Sequence, residues 1–160
     1  MKSRFFFAIM PLVMVFIPVV PGIAAAQSTL PDSVVAAMRT GIQDEYNAYA
    51  TYGAVIGQLG AVKPFVSIQK AEAQHITAWK TVFTKYGVPV PSAPGSVNVP
   101  KFATVAEACK AGVVAEKANI VLYDRMLTAV KSYPELVKVV TALRTASVTS
   151  HLPAFERCAK

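Results

Sequence analysis

Glutamate and histidine side chains occur on the apolar side of several helix-like segments, where such groups need a partner. Glu72 and His75 stand three residues apart, the Glu-x-x-His spacing that projects both side chains from one helix face. Glu45, Glu116 and His151 each fall in a further stretch of helical spacing. A buried carboxylate is costly to ionise without a partner. Three carboxylates with two imidazoles therefore predict a cation site.

Four stretches of helical apolar spacing carry these five side chains, and no segment shows the alternation typical of a β-strand. The sequence therefore predicts an all-α protein. We expect helices over residues 33–58, 64–86, 105–131 and 134–158. Asp32 or Ser33 is expected to cap the first helix. The seams that face inward are predicted to include Tyr49 as well as the three glutamates and both histidines.

The connections between these helices differ in length. The first two helices, and the last two, are joined by only a few residues, so each pair should form an antiparallel hairpin. The middle connection, residues 87–103, contains four prolines. An extended chain of this length reaches about 50 Å, whereas a helix of about 24 residues is only about 36 Å long. The prediction is a four-helix bundle with one long proline-rich crossover.

The register of the two hairpins brings the polar side chains to similar depth. Facing residues of an antiparallel hairpin lie at equal distances from its turn. Glu45 lies about as far before the first turn as Glu72 and His75 lie after it. Glu116 and His151 lie at equal distances from the second turn. Each hairpin should therefore place a glutamate roughly opposite its histidine.

This arrangement resembles the ferritin-like superfamily of carboxylate-bridged di-metal bundles, as in rubrerythrins and bacterioferritins. That pattern is Glu on helix 1, Glu-x-x-His on helix 2, Glu on helix 3 and Glu-x-x-His on helix 4. Glu45, Glu72, His75, Glu116 and His151 stand at matching positions. The segments AEAQHITAWKTVFTKYGVPVP and ASVTSHLPAFERC further resemble a ferritin-like family catalogued as a domain of unknown function. The resemblance implies the fold and a metal site formed by these five side chains.

The resemblance covers about residues 33–158 and has one departure. Val148 stands three residues before His151, where the family has its fourth glutamate. Ser147 shares the face of His151, but a serine hydroxyl is a poor ligand for a divalent ion. The site is thus one carboxylate short, and two ions, one ion or none are the alternatives.

Two tyrosines follow a glutamate at the same spacing. Tyr52 stands seven residues after Glu45, and Tyr123 stands seven residues after Glu116. In ferritin-like bundles such a tyrosine commonly supports the metal ligands without binding the ion, so the resemblance implies that role for both, and Ser147 is grouped with them. The alternative is that both tyrosines are ordinary core aromatics.

Iron or manganese suits mixed carboxylate and imidazole ligands, and zinc or copper suits a reduced site. If two irons bind, the family implies chemistry with oxygen or peroxide. The alternative is a non-catalytic structural or binding bundle without metal. In that case the glutamates hydrogen-bond the histidines or pair with a cation such as Arg144.

The two cysteines, Cys109 and Cys158, share the register of Glu116 and His151 across the second hairpin. They should therefore face each other, and we predict a disulfide between them. A pair of soft metal ligands is the alternative.

The first 26 residues differ from the rest of the chain. A short basic start precedes the uncharged residues 5–26, which end in three alanines. This is the layout of a secretory signal peptide cleaved before Gln27, with an uncleaved membrane anchor as the alternative. We expect residues 27–160 to form an exported domain, periplasmic or extracellular, without stable membrane insertion. Disulfides persist in such compartments.

The composition predicts one globular domain, and the candidate ligands described above make metal ions its expected partners. With 54% hydrophobic and 16% charged residues, the 160-residue chain is too apolar for disorder and long enough for one core. Its net charge of +7 becomes +5 without Lys2 and Arg4. Because the basic residues are scattered, nucleic acid is not an expected partner. A homo-oligomer is compatible with the sequence, but no feature of it requires one.

Overall fold

The structure, a computed structural model, describes residues 30–160. The predicted signal peptide, residues 1–26, and its cleavage site before Gln27 lie outside the described residues. Residues 30–160 are helical with loops between the helices, and they contain no β-strand. Within this range no helix is both long enough and apolar enough to cross a membrane.

Four helical rods make up the described chain, an architecture compatible with a four-helix bundle. The first three rods are single helices: α1 (Asp32–Leu59), α2 (Phe65–Lys85) and α3 (Val105–Val130). The fourth rod consists of α4 (Pro134–Ala146), a π-helical turn (Ser147–His151) and α5 (Leu152–Cys158), which follow one another without a break.

The helix starts agree with the sequence prediction in position, but not in every cap. Thr104 precedes α3, and its hydroxyl accepts a hydrogen bond from the amide of Glu107, as expected for an N-cap threonine. The predicted cap of α1 by Asp32 or Ser33 is wrong. The helix begins one residue earlier than expected, Pro31 occupies the cap position, and no side chain hydrogen-bonds there.

The fourth rod corrects the prediction of one continuous α-helix over residues 134–158. Its buried residues Leu143, Ser147, His151 and Phe155 follow one another at steps of four. In an α-helix of 3.6 residues per turn, three such steps rotate the seam by roughly 120°. The wider π-helical turn absorbs this rotation, so that all four side chains remain on the inner face.

Facing residues define the directions of the rods. Gly41 of α1 lies against Trp79, whereas Tyr52, later in α1, packs edge-to-face against Phe65, earlier in α2. The two helices are therefore antiparallel. Gly112 of α3 lies against the ring of Phe155, and residues later in α3 face residues earlier in the fourth rod. That pair is antiparallel as well.

Gly112 permits the close approach of α3 and α5. A Cβ atom at this position would lie 2.6 Å from the nearest ring carbon of Phe155, too close for any real side chain. The missing side chain lets the fourth rod approach α3 closely near the two cysteines.

The core has two apolar clusters. One contains Trp79, Phe83 and Leu143, and the other contains Phe65 and Phe155. On α2, α3 and the fourth rod, the buried glutamates and histidines lie at sequence positions between those of the two clusters, and on α1 Glu45 lies beside Tyr46, the last residue of the first cluster in that helix. They are therefore in a desolvated layer where charge is expensive.

Candidate metal centre

The structure brings together all five side chains that the sequence singles out as metal ligands. Each of the four rods contributes at least one of them. Glu45, Glu72, Glu116 and His151 are at most 4% exposed, and the His75 side chain is 16% exposed. Their ligand atoms form two overlapping groups, each within 4.8 Å: Glu45, Glu72 and His75, and Glu72, Glu116 and His151.

Glu72 belongs to both groups because its two carboxylate oxygens face different histidines. Its Oε2 lies 2.7 Å from Nδ1 of His75, and its Oε1 lies 3.4 Å from Nδ1 of His151. The His75 Nδ1 is also 3.1 Å from Oε2 of Glu45. The two imidazole rings lie 5.7 Å apart, centre to centre. The Glu72 carboxylate thus links the two groups of candidate ligand atoms.

Glu116 is the least satisfied member of the cluster. Its Oε1 lies 3.5 Å from Nδ1 of His151, and its buried Oε2 has no hydrogen-bond partner within residues 30–160. A buried carboxylate oxygen without a partner costs free energy, and a bound cation removes that cost.

The spacing at His151 fits a cation better than a hydrogen bond. Its Nδ1 is 3.4 Å from a Glu72 oxygen and 3.5 Å from a Glu116 oxygen, both long for a hydrogen bond. Ligands held at about 2.1 Å from one ion lie about 3.0–3.4 Å apart. The donor set of carboxylate oxygen and imidazole nitrogen is one that iron, manganese and zinc accept.

Tyr52 and Tyr123 each hydrogen-bond a buried glutamate of another helix. The Tyr52 hydroxyl donates to Oε1 of Glu116 at 3.0 Å, and the Tyr123 hydroxyl donates to Oε1 of Glu45 at 2.5 Å. Burial and the neighbouring carboxylates raise the pKa of both tyrosines above the ordinary value. Both therefore remain neutral hydrogen-bond donors that orient the carboxylates.

Burial and mutual repulsion make the cluster hold protons. Burial and the nearby Glu45 carboxylate raise the pKa of Glu72 to about 8, although its contact with His75 opposes the rise. Burial alone lowers the pKa of His75, but hydrogen bonds with Glu45 and Glu72 outweigh it and raise that pKa to about 10. Cations and protons therefore compete for the same atoms.

Asp44 borders the site, a position that the sequence analysis missed. It lies beside Glu45 and accepts a hydrogen bond from the Tyr123 hydroxyl at 3.3 Å. Burial, and then repulsion by Glu45, raise its pKa to about 7. A residue adjacent to an inward one normally points about 100° away around the helix. No signal in the α1 sequence alone indicated that α3 covers this flank.

Two other sequence interpretations are settled by the structure. Tyr49 is 43% exposed, so its prediction as an inward residue is wrong. Ala48, one residue earlier, packs beside the core in its place. Arg144 forms its ion pair with Asp124 on the surface, at 2.5 Å, and not with the buried glutamates.

The π-helical turn places Ser147, and not Val148, on the inner face beside His151. Val148, three residues before His151, is 38% exposed and points away from the cluster, whereas Ser147 is 3% exposed. The residue that accompanies His151 on the inner face is therefore Ser147, and the site has three carboxylates.

Cys109 and Cys158 lie at disulfide distance, with their sulfur atoms 2.09 Å apart and their Cα atoms 5.8 Å apart. This pairing ties the start of α3 to the end of α5. The two residues belong to the same apolar cluster as Phe155, away from the carboxylates.

No protein-family model, curated protein or solved structure matches this chain. The class of protein must therefore be inferred from the bundle and the side chains within it.

Proposed function

We propose that this chain is an exported ferritin-like protein that binds one or two transition-metal ions inside its helical bundle. The observation that carries the proposal is the position of Glu72. Its carboxylate lies between both histidines, and each of its oxygens belongs to a different group of ligand atoms. The unpartnered Oε2 of Glu116 supports a cation in the same place.

The directions of the helices support a ferritin-like topology. Because α1 is antiparallel to α2, and Tyr52 and Tyr123 reach Glu116 and Glu45 across an antiparallel α1–α3 pair, α2 and α3 run in the same direction. Residues 87–103 must then cross the length of the bundle. Hydrogen bonds from Tyr46 to Pro91 and from Gln58 to Pro100 support such a crossover, because the two contacts follow α1 in the same order along both segments.

Each proposed ion has its own ligands and shares Glu72 with the other. One ion would be held by Glu45, Glu72 and His75, and the second by Glu72, Glu116 and His151. Iron and manganese are favoured, while zinc and copper fit a site with few carboxylates. Bound iron or manganese would supply redox chemistry with oxygen or peroxide. The chain itself supplies a dry pocket and neutral tyrosines that orient the ligands.

Export is the second part of the proposal. It is supported by the signal-peptide pattern of residues 1–26 and by the cysteine pair at disulfide distance. Disulfides persist outside the cytosol and are rare inside it.

Metal analysis of two conservative variants tests the proposed centre. Metal-free protein is titrated with Mn²⁺, Zn²⁺ and, without oxygen, Fe²⁺, and bound metal is measured by elemental analysis. Glu72→Gln should abolish binding of both ions because Glu72 is shared. Glu45→Gln should spare the ion held by Glu116 and His151. Glu135→Gln, which alters a carboxylate that pairs with Lys85 on the surface, is the matched control and should bind normally.

The alternative function is a non-catalytic structural or binding bundle whose polar core carries no metal. The hydrogen bonds of His75 with Glu45 and Glu72 favour it, since they satisfy part of the cluster without an ion. Metal content well below one equivalent for every ion tried would select this alternative and overturn the metal proposal.

A further inference from the structure

A cavity of about 540 Å³ lies between the start of α2 and the end of the fourth rod, and it reaches the candidate metal centre. Its floor includes the buried side chains of Ile68 and His151. His151 is also the residue whose Nδ1 faces Glu72 and Glu116 on the other side. The cavity and the centre therefore share one imidazole as their common wall.

The lining of this cavity contains basic side chains and no acidic ones. Lys63 and Arg157 line it, and neither forms a salt bridge within the described residues. No aspartate or glutamate is among its lining residues. The first turn of α2 and the last turn of α5 both border it, through Ser67 and Cys158, so the opposite partial charges of these two helix ends offset each other and the two basic side chains set the charge. The mouth of the cavity therefore attracts anions.

The inner surface of the cavity is mostly apolar. Pro64, Ile68, Ala71 and Ala154 contribute to its walls, so a fully hydrated inorganic ion would leave most of the surface uncovered. Its volume lies within the range of pockets that bind small organic ligands, about 300–1,000 Å³. Apolar walls behind a cationic mouth fit a ligand with an apolar body and one anionic group.

We propose that this cavity binds a small organic monoanion, such as an aromatic or short aliphatic carboxylate. The anionic group lies near Lys63 and Arg157, and the apolar body packs against Ile68 and Ala154. Binding itself needs no metal. Only the further claim, that the ligand sits beside a bound ion, rests on the proposed function.

Ligand-observed fluorine NMR with p-fluorobenzoate tests the proposal on the purified, metal-free protein. The neutral p-fluorobenzyl alcohol has the same apolar body and should bind about tenfold more weakly, because it lacks the charge that Lys63 and Arg157 recognise. The double variant Lys63→Gln, Arg157→Gln should lose this preference. Lys110→Gln, Lys117→Gln removes the same charge from exposed positions on α3 and should retain it.

Several results would overturn the proposal. Equal binding of the acid and the alcohol would show that charge is not recognised, and equal loss in both double variants would show that the attraction is not local. Displacement of the probe by inorganic phosphate at equal concentration would show that the apolar body is not recognised. Ser67→Phe fills the cavity from an exposed position. It should abolish binding, and unchanged binding in this variant would place the probe elsewhere.

Loading the centre with Mn²⁺ separates this inference from the proposed function. The paramagnetic ion should shorten the relaxation time of fluorine in the bound probe. Bound Mn²⁺ without this effect would overturn the placement beside the centre and leave the metal proposal intact. Binding of the probe to a protein that takes up no metal would overturn the metal proposal and support the cavity.

Discussion

At the scale of single residues, the centre is a competition between protons and cations. Three carboxylates lie within reach of two imidazoles in a dry layer, and ionising all three together is unfavourable. Protons relieve the repulsion in one way, because Glu72 and His75, whose pKa values are raised, retain them. Divalent ions relieve it in another way, by binding the deprotonated groups. The pH therefore determines which of the two is preferred.

We predict that the metal-free protein becomes less stable as the pH rises from about 5 to about 9, by roughly 2–4 kcal/mol. The pKa of Glu72 rises on folding from 4.5 to about 8, and that of His75 from 6.5 to about 10. The folded chain thus binds more protons than the unfolded chain, so its free energy of unfolding decreases through this interval. Urea unfolding at several pH values measures the slope.

Bound metal should reverse the dependence of the unfolding free energy on pH, because it displaces the same protons. The stabilisation by saturating Mn²⁺ or Zn²⁺ should be larger at pH 8 than at pH 5. Asp44→Asn serves as the matched variant. It should reduce the pH dependence of the unfolding free energy only between pH 3.8 and about 7. A metal-free protein equally stable at pH 5 and pH 9 would contradict the proton-holding cluster.

At the scale of the helical elements, the π-helical turn decides which side chains accompany His151. The sequence pattern treats the fourth rod as an uninterrupted helix, in which the position three residues before His151 faces the site. The wider turn rotates that position outward, leaving Val148 exposed and Ser147 buried. Such turns occur frequently at functional sites.

This geometry predicts where a fourth carboxylate can be added. Ser147→Glu should tighten binding of the second ion by about tenfold, because an inward carboxylate adds ligand charge. Val148→Glu adds the same carboxylate one residue later on an exposed position and should leave metal binding unchanged. Calorimetric titration with Mn²⁺ measures both affinities, and circular dichroism verifies that each variant keeps its helical content.

The opposite ranking, with Val148→Glu tightening metal binding and Ser147→Glu having no effect, would show that the fourth rod is a regular helix at this point. The carboxylate of position 148 would then face inward. That result would also contradict the outward orientation of Val148.

At the scale of the whole molecule, the centre joins the two helical hairpins. The first hairpin contributes Glu45, Glu72 and His75, and the second contributes Glu116 and His151. The hydrogen bonds of Tyr52 and Tyr123 also cross between the hairpins. An ion held by Glu72, Glu116 and His151 would link both hairpins, so metal binding and folding should be coupled.

The all-helical architecture and the membership of the polar cluster could be predicted from sequence. Helical spacing and hairpin register are local or nearly local, so the glutamates and histidines could be placed at similar depth. The π-helical turn could not be predicted in this way, because it depends on packing against α3. The covering of Asp44 depends on the same kind of packing, between α1 and α3.

The cysteine pair is expected to contribute to the stability of the whole molecule. A disulfide between Cys109 and Cys158, 49 residues apart in sequence, should stabilise the fold by roughly 4 kcal/mol, since it restricts a long loop of the unfolded chain. Urea unfolding of the purified protein with and without reductant measures this difference. The double variant Cys109→Ala, Cys158→Ala is the control and should show no response to reductant. Because both residues lie outside the carboxylate cluster, it should still bind metal. Two alkylatable thiols in the native protein would contradict the disulfide.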